Sequence, residues 1–229
     1  MSKTLSMDDL HVAFVLDGNR RWAVENQLPK LMGHHHGAKT LKKSIKWCVE
    51  LGIKDITVYG FSTENFKRSE EETKSLFNIM KKYFSELLTS KEIHDNEIQV
   101  RFIGKLDLFP EDLQKVMKEV EAKTKDYTKH SFNLCVAYGG HEEIVQAANK
   151  AIALGKPITE EEFANLLYLN KQPDLVIRTG GAMRTSNFLP WQSAYSEWFF
   201  IKEHWPAFSK ERLVELIAEF KERKRNFGK

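Results

Sequence analysis

Four clusters of polar residues stand out in this chain because each directly follows or opens a regular element. The first is Asp17-Gly18-Asn19-Arg20-Arg21-Trp22. Gly18 lets the backbone approach a ligand closely. Two arginines beside a helix start present fork-shaped donors to an oxyanion. An aspartate among these cations makes sense if it holds a divalent metal, because Mg2+ is commonly bound by one carboxylate together with substrate phosphates. A solvated turn with a capping Asp is the plainer alternative. The second cluster is Gly33-His34-His35-His36-Gly37. Three adjacent histidines cannot converge on one metal, since helical metal pairs need i, i+4 spacing. At a helix start flanked by glycines, one of them could bind a phosphate; otherwise the stretch is a polar loop.

The third cluster is Phe61-Ser62-Thr63-Glu64-Asn65-Phe66-Lys67-Arg68. Ser, Asn and Arg just beyond a buried strand could orient and deprotonate a substrate. Equally, Ser69-x-x-Glu72 reads as a capping box that starts a helix. The fourth runs from Arg178 to Asn187 (RTGGAMRTSN). Its two glycines leave room for an anion nest of backbone N–H groups, and Arg178, Arg184 and Ser186 add side-chain donors. Beyond it, Glu197 is a lone acid between Tyr195 and Trp198, either a buried hydrogen-bonder or a metal ligand. Two arginine-rich anion sites, each with a carboxylate nearby, point to two phosphorylated substrates and Mg2+. The sequence has no GxxxxGK[ST], GxGxxG, GxSxG, HExxH or DDxxD, so these are not the anion sites of a P-loop or Rossmann enzyme.

The elements that must carry these clusters alternate. Strands are expected at 11–16, 55–61, 98–103, 132–137, 174–178 and 198–201. Helices are expected at 37–51, 69–88, 110–127, 142–153, 159–167 and 210–225, with Thr159 and Glu162 forming a capping box. That order predicts an α/β fold with one open, mostly parallel central sheet and helices on both faces. Ligands in such folds bind beyond the carboxyl ends of the strands, where the polar clusters fall.

Composition limits the alternatives. The 229 residues carry 35 Lys+Arg against 32 Asp+Glu, a net charge of +3. That excess is too small for a dedicated nucleic-acid binder, and 41% hydrophobic residues exclude a disordered chain. Cys48 and Cys135 sit in apolar runs with no CxxC, which suits a reducing compartment. No apolar signal region opens the sequence and no run approaches a membrane span. The expected location is cytoplasmic.

The segments HVAFVLDGNRRWA, the GH…GA loop at 33–38, YGFSTENFKRSEEE, LCVAYGGHEEIVQA and PDLVIRTGG…RTSNFLPWQSAYSEWFF resemble, in order, the motif blocks of the cis-prenyltransferases. That family includes undecaprenyl and dehydrodolichyl diphosphate synthases. The resemblance spans about residues 11–228, a single domain filling the whole chain. It implies the family's "butterfly" fold with a hydrophobic tunnel. It also implies Mg2+-dependent condensation of isopentenyl diphosphate with an allylic prenyl diphosphate, farnesyl or geranylgeranyl, to give a Z-polyprenyl diphosphate and release diphosphate.

Residue by residue, Asp17 resembles the aspartate that holds Mg2+ and the allylic diphosphate. Gly18, Asn19, Arg20, Arg21, Lys30 and His34 fall where that diphosphate binds. Trp22 and Phe66 match aromatic positions near the substrates. Ser62 and Asn65 match positions tied to proton removal; Thr63, Glu64 and Arg68 belong to the same substrate-binding block. Arg178, Arg184, Thr185 and Ser186 match the isopentenyl diphosphate site. Glu197 resembles a second metal-linked acid near the partner's site in a homodimer. Leu76, Phe77, Met80, Phe84, Leu87 and Leu88, with Gly60, are candidates to line the tunnel. An apolar product would be delivered by transient docking at a bilayer.

The sequence departs from the family pattern at several points. Arg20 replaces a glycine, and Lys30 replaces an arginine, which removes the bidentate fork. Ala182 replaces a glutamate, Met183 stands where some members have histidine, and Arg225-Asn226-Phe227-Gly228 differs from an RxG ending. Two alternatives therefore stay open. One is a same-fold enzyme with another acceptor, such as a phosphorylated glycerol lipid; the other is a subunit of a heteromeric enzyme.

Overall fold

The computed structural model describes residues 9–223. Six strands form one sheet: β1 (His11–Val15), β2 (Asp55–Ser62), β3 (Ile98–Ile103), β4 (His130–Tyr138), β5 (Leu175–Arg178) and β6 (Glu197–Phe200). Their order is β3-β4-β2-β1-β5-β6. Every pairing is parallel, so the sheet is wholly rather than mostly parallel. Each strand lies within one or two residues of its expected bounds.

The strands are mostly apolar because both faces of the sheet are largely covered. Val12, Phe14, Ile56, Val58, Phe132, Leu134 and Ile177 pack on one face with Ile45 and Cys48 of α2 (Lys30–Glu50) and Leu76, Met80 and Phe84 of α3 (Glu70–Leu87). Ala13, Val15, Tyr59, Cys135 and Val176 pack on the other with Phe188 and Leu189. Cys48 and Cys135 are buried free thiols.

The remaining helices are α1 (Asn19–Glu25), α4 (Lys91–Asp95), α5 (Glu111–Thr124), α6 (Gly140–Ala153), α7 (Glu160–Ala164) and α8 (Lys210–Glu222). The Thr159 capping box forms: Thr159 Oγ1 accepts from the Glu162 N–H at 3.1 Å, and Glu162 Oε2 accepts from the Thr159 N–H at 2.8 Å. No described helix is long and apolar enough to cross a membrane.

One boundary differs in a way that matters. The helix expected from Gly37 begins at Lys30, after an N-cap at Pro29. His34, His35 and His36 therefore lie inside α2, with their backbone N–H groups bonded within the helix. They do not form an anion-binding helix start. Gly33 and Gly37 serve packing instead. A Cβ on Gly33 would lie 2.0 Å from the Asn19 carbonyl oxygen, and one on Gly37 would lie 2.1 Å from Asn19 Oδ1. The two glycines, four residues apart on one face, let α1 lie directly against α2.

Candidate active site

The loops after β1, β2 and β5 converge on a cavity of about 860 Å3 bounded by α2, α3 and the sheet. β1 lies between β2 and β5, so this is the point where strand order turns to both sides and a crevice opens. Asp17 stands two residues past the end of β1. Its carbonyl oxygen accepts from the Trp205 N–H at 3.0 Å and from Thr179 Oγ1 at 2.7 Å. Gly18, at φ +101°, makes the turn; a Cβ there would meet the His204 ring at 2.4 Å. The backbone is thus fixed, and the Asp17 carboxylate faces the cavity.

Both Asp17 oxygens are taken by arginines: Oδ1 by Arg21 Nη2 at 2.9 Å and Oδ2 by Arg178 Nη2 at 2.9 Å. Burial pushes the Asp17 carboxyl up, but the hydrogen bond and charge of Arg178, then those of Arg21, hold it below the usual carboxylate range. Arg178 is 4% exposed. Its Nη1 donates to Ser186 Oγ at 2.7 Å and to the Arg184 carbonyl oxygen. Arg21 also donates to the Gly180 carbonyl oxygen at 2.7 Å. The first and fourth sequence clusters therefore form one charged wall.

The expected anion nest is absent. Gly180 N–H donates to the Glu203 carbonyl oxygen at 2.7 Å, and Gly181 N–H to that of Ile201 at 2.8 Å. The glycines, at φ +81° and +75°, tie the loop to the chain after β6. The side-chain donors that this loop and the end of β5 present to the cavity include Arg178, Arg184 and Ser186.

Arg20, His34 and Arg68 also line the cavity. Burial, then the Arg68 charge, push His34 down to about 4, so it is a neutral imidazole at neutral pH. Ser62, Glu64 and Asn65 complete the rim. Ser62 N–H donates to Asn65 Oδ1 at 3.1 Å, which fixes that amide. Burial pushes Glu64 up, but hydrogen bonds, including those of Ser62, Thr63 and Asn187, leave it ionised below its ordinary value.

Past the charged rim the cavity is apolar, lined by Leu41, Gly60, Leu76, Ile79, Met80 and Phe84. A smaller cavity of about 60 Å3 adjoins it, sharing Leu41, Tyr83 and Phe84 among its walls and lined further by Ile45, Leu87, Ile93 and Phe132. Phe77 and Leu88 do not line either space. Phe77 packs with Phe61, Phe66 and Phe109, and Leu88 rests on the core.

Several expected site residues lie elsewhere. Phe66 is in that aromatic cluster, and Trp22 packs against His36 at 4.6 Å. Lys30 is the exposed first residue of α2. Thr63 and Thr185 are neighbours of the rim that do not line the cavity. Glu197 starts β6, paired in register with Leu175, while the cavity lies past Arg178 at the other end of these strands. It accepts from Arg223 Nη1 at 2.9 Å. Within one chain it does not share a metal with Asp17. Arg225 to Gly228 lie outside the described residues.

Two residues lie within the sequence clusters and motif blocks but carry no assigned site role there. Asn187 lines the cavity, at φ +63°, and its Oδ1 accepts from the His141 N–H at 2.9 Å. An Asn after Thr-Ser was a signal for left-handed backbone. Glu143 is fully buried and accepts from Tyr138 Oη at 2.5 Å, from the Tyr168 N–H at 2.8 Å and from Gln192 Nε2 at 3.1 Å. It ties the 187–192 loop to β4, and only its helical setting was readable.

For a metal, no described group of three His, Cys, Asp or Glu residues converges. A hard carboxylate at a cationic wall fits Mg2+ only jointly with phosphate oxygens, the arrangement common for that ion.

Comparisons with known proteins agree with this geometry. Residues 15–228 match the family model described as "Putative undecaprenyl diphosphate synthase". A tritrans,polycis-undecaprenyl-diphosphate synthase (geranylgeranyl-diphosphate specific) of Pyrococcus horikoshii is 43% identical over 228 residues, covering 96% of this chain and 86% of the relative. An isoprenyl transferase of Aquifex pyrophilus is 42% identical, covering 96% and 95%. Among solved structures, lavandulyl diphosphate synthase from Lavandula x intermedia in complex with dimethylallyl diphosphate superposes with a TM-score of 0.89 at 35% identity, covering 96% of this chain and 98% of that one. A family model across nearly the whole chain, together with relatives above 40% identity, establishes that the chain belongs to the undecaprenyl diphosphate synthase family and is a cis-prenyltransferase.

Proposed function

We propose that the chain condenses isopentenyl diphosphate with an allylic prenyl diphosphate, farnesyl or geranylgeranyl, in Z geometry. The observation that carries this reading is one cavity with a cationic rim opening into an apolar lobe. Such a space suits a diphosphate head with a long hydrocarbon tail.

In this reading Arg20, Arg21 and Arg68 bind the allylic diphosphate, with Asn19 and His34 beside them. Arg178, Arg184 and Ser186 bind isopentenyl diphosphate. Asp17, between the two groups, would hold Mg2+ jointly with diphosphate oxygens. Bound there, Mg2+ would act as a Lewis acid that neutralises charge on the leaving diphosphate. As the allylic C–O bond breaks, the arginines stabilise the negative charge growing on that leaving group. The isopentenyl alkene then bonds to the allylic carbon and a proton is lost. Ser62 and Asn65 orient this step without taking the proton, since neither is a base at neutral pH; the released diphosphate is the anion at hand. The apolar lobe excludes water and receives the tail.

Glu197 lies at the end of β6 away from this chain's cavity, so a catalytic role for it would be played at a neighbouring copy's site, as in a homodimer. A purely structural subunit has no use for a buried arginine aimed at Asp17, which weighs against the heteromeric alternative. The test is incubation with Mg2+, labelled isopentenyl diphosphate and each allylic primer. Labelled polyprenyl diphosphate is expected; no labelled product with any primer overturns the reading.

A further inference from the structure

Glu72, at the third position of α3, has a carboxylate that is 17% exposed and met by basic side chains from three different segments. Arg68 Nη1, from the turn before α3, donates to Oε1 at 2.9 Å. Arg20 Nη1, from α1, reaches Oε2 at 3.5 Å. His34 Nε2, from α2, lies 3.8 Å from Oε1 and is buried with no hydrogen-bond partner. All three basic residues line the cavity, and Glu72 does not. The Ser69 hydroxyl does cap α3 by accepting from the Glu72 N–H at 3.3 Å, but the Glu72 side chain is directed to the arginines.

Arg20 and Arg68 carry like charges aimed at one space. Without an anion between them they would repel and turn toward water, and a substrate would have to gather them at an entropic cost. We propose that Glu72 is a positioning residue of the diphosphate site: it holds Arg68, Arg20 and His34 converged while no anion is bound, and yields them to the diphosphate on binding. This rests on the assignment of the allylic diphosphate to that side of the cavity.

The test compares Glu72→Gln with wild type and with Ser69→Ala. Gln keeps the volume and the Ser69 cap but removes the charge. Expected for Glu72→Gln are a KM for the allylic diphosphate raised about tenfold, a KM for isopentenyl diphosphate and a kcat within about threefold, and a lower NMR titration midpoint for His34, whose proton affinity Glu72 supports. Ser69→Ala lowers Tm with both KM values unchanged. Glu72→Asp, which keeps the charge, restores most of the binding. Binding of inorganic diphosphate by calorimetry gives the same comparison without turnover. If Glu72→Gln leaves the allylic KM and the diphosphate affinity unchanged, or raises both KM values equally, the proposal is overturned. A wild-type enzyme without turnover would instead overturn the functional reading above, and the calorimetry still decides the role of Glu72.

Discussion

Arg178 reaches from the last residue of β5 to Asp17, two residues beyond β1, with Nη2 and Oδ2 2.9 Å apart. Because Arg178 is register partner to Val15, the strand pairing itself sets this contact. The two candidate substrate sites therefore share a wall at the pair.

Asp17 bears a charge that opposes anion binding until a cation offsets it. Asp17→Ala is expected to lower kcat by about 10²–10³-fold. Without Mg2+ it should bind inorganic diphosphate at least as tightly as wild type, because Arg21 and Arg178 are released. Rapid-quench turnover and calorimetry check the two halves; near wild-type turnover would remove Asp17 from the chemistry.

Mg2+ affinity should depend on diphosphate. Both Asp17 oxygens are occupied by arginines, and no group of three described His, Cys, Asp or Glu residues that could hold a metal ion forms around it. Calorimetric titration with Mg2+ alone is expected to show no saturable binding, whereas the same titration after adding diphosphate should. Tight Mg2+ binding to the free protein would contradict this.

Arg178→Lys should separate charge from geometry. One guanidinium serves Asp17, Ser186 and the Arg184 carbonyl, and a lysine ammonium cannot span the same fork. The KM for isopentenyl diphosphate is expected to rise by about ten- to a hundredfold, with the allylic KM little changed. Equal effects on both would place Arg178 in a shared rather than a dedicated site.

The sheet was readable because strands buried on both faces are written as continuous apolar runs, as in His11–Val15 and Leu175–Arg178. The clusters after β1, β2 and β5 were readable because polar residues at strand ends have few structural uses. What failed depended on contacts between distant segments. Gly33 and Gly37 resemble an anion loop, but Asn19 is what requires them, its backbone at Gly33 and its side chain at Gly37. Gly180 and Gly181 looked like a nest, but their N–H groups are consumed by residues 201 and 203. Paired irregularities at Gly60 in β2 and Ala137 in β4, the latter at φ +48°, re-aim Ser62 at the rim. A glycine inside a strand is a local mark of such a bulge at Gly60, whereas nothing local marks Ala137. Glu72 reads in sequence as half of a capping box; of its three partners Arg68 is four residues away, but Arg20 and His34 come from distant parts of the chain.

Phe84 is the largest apolar side chain among the residues that line both the large cavity and the small one, the others being Ala38, Leu41, Tyr83 and Leu134. Phe84→Ala should join them and shift the product distribution, read by mass spectrometry, to longer chains. The truncation costs about 3–5 kcal/mol of stability, so Tm is measured alongside. Adding Leu87→Phe, which refills the small cavity, should return the distribution toward wild type. Unchanged lengths in a folded Phe84→Ala enzyme would mean that the floor lies elsewhere.

Acid should destabilise the protein through histidines buried in neutral form. His11 is 3% exposed, its Nε2 is 2.8 Å from Thr57 Oγ1 and its Nδ1 is 3.1 Å from the Gln172 carbonyl oxygen. Burial lowers its proton affinity more than Asp55, the Gln172 carbonyl and Asp174 raise it. His34 is likewise held down, to about 4. A group whose folded pKa lies below its unfolded value of 6.5 contributes its full stability above 6.5 and loses it as pH falls toward the folded value. Each such histidine should cost about 1.4 kcal/mol per pH unit in that window. Urea unfolding between pH 7.5 and 5 should therefore show a plateau followed by a decline. His11→Gln should reduce the slope of that decline while lowering the plateau, since the Gln172 and Thr57 contacts are disturbed at every pH. A variant whose curve runs parallel to wild type through the whole range would show that His11 does not resist protonation in the folded state.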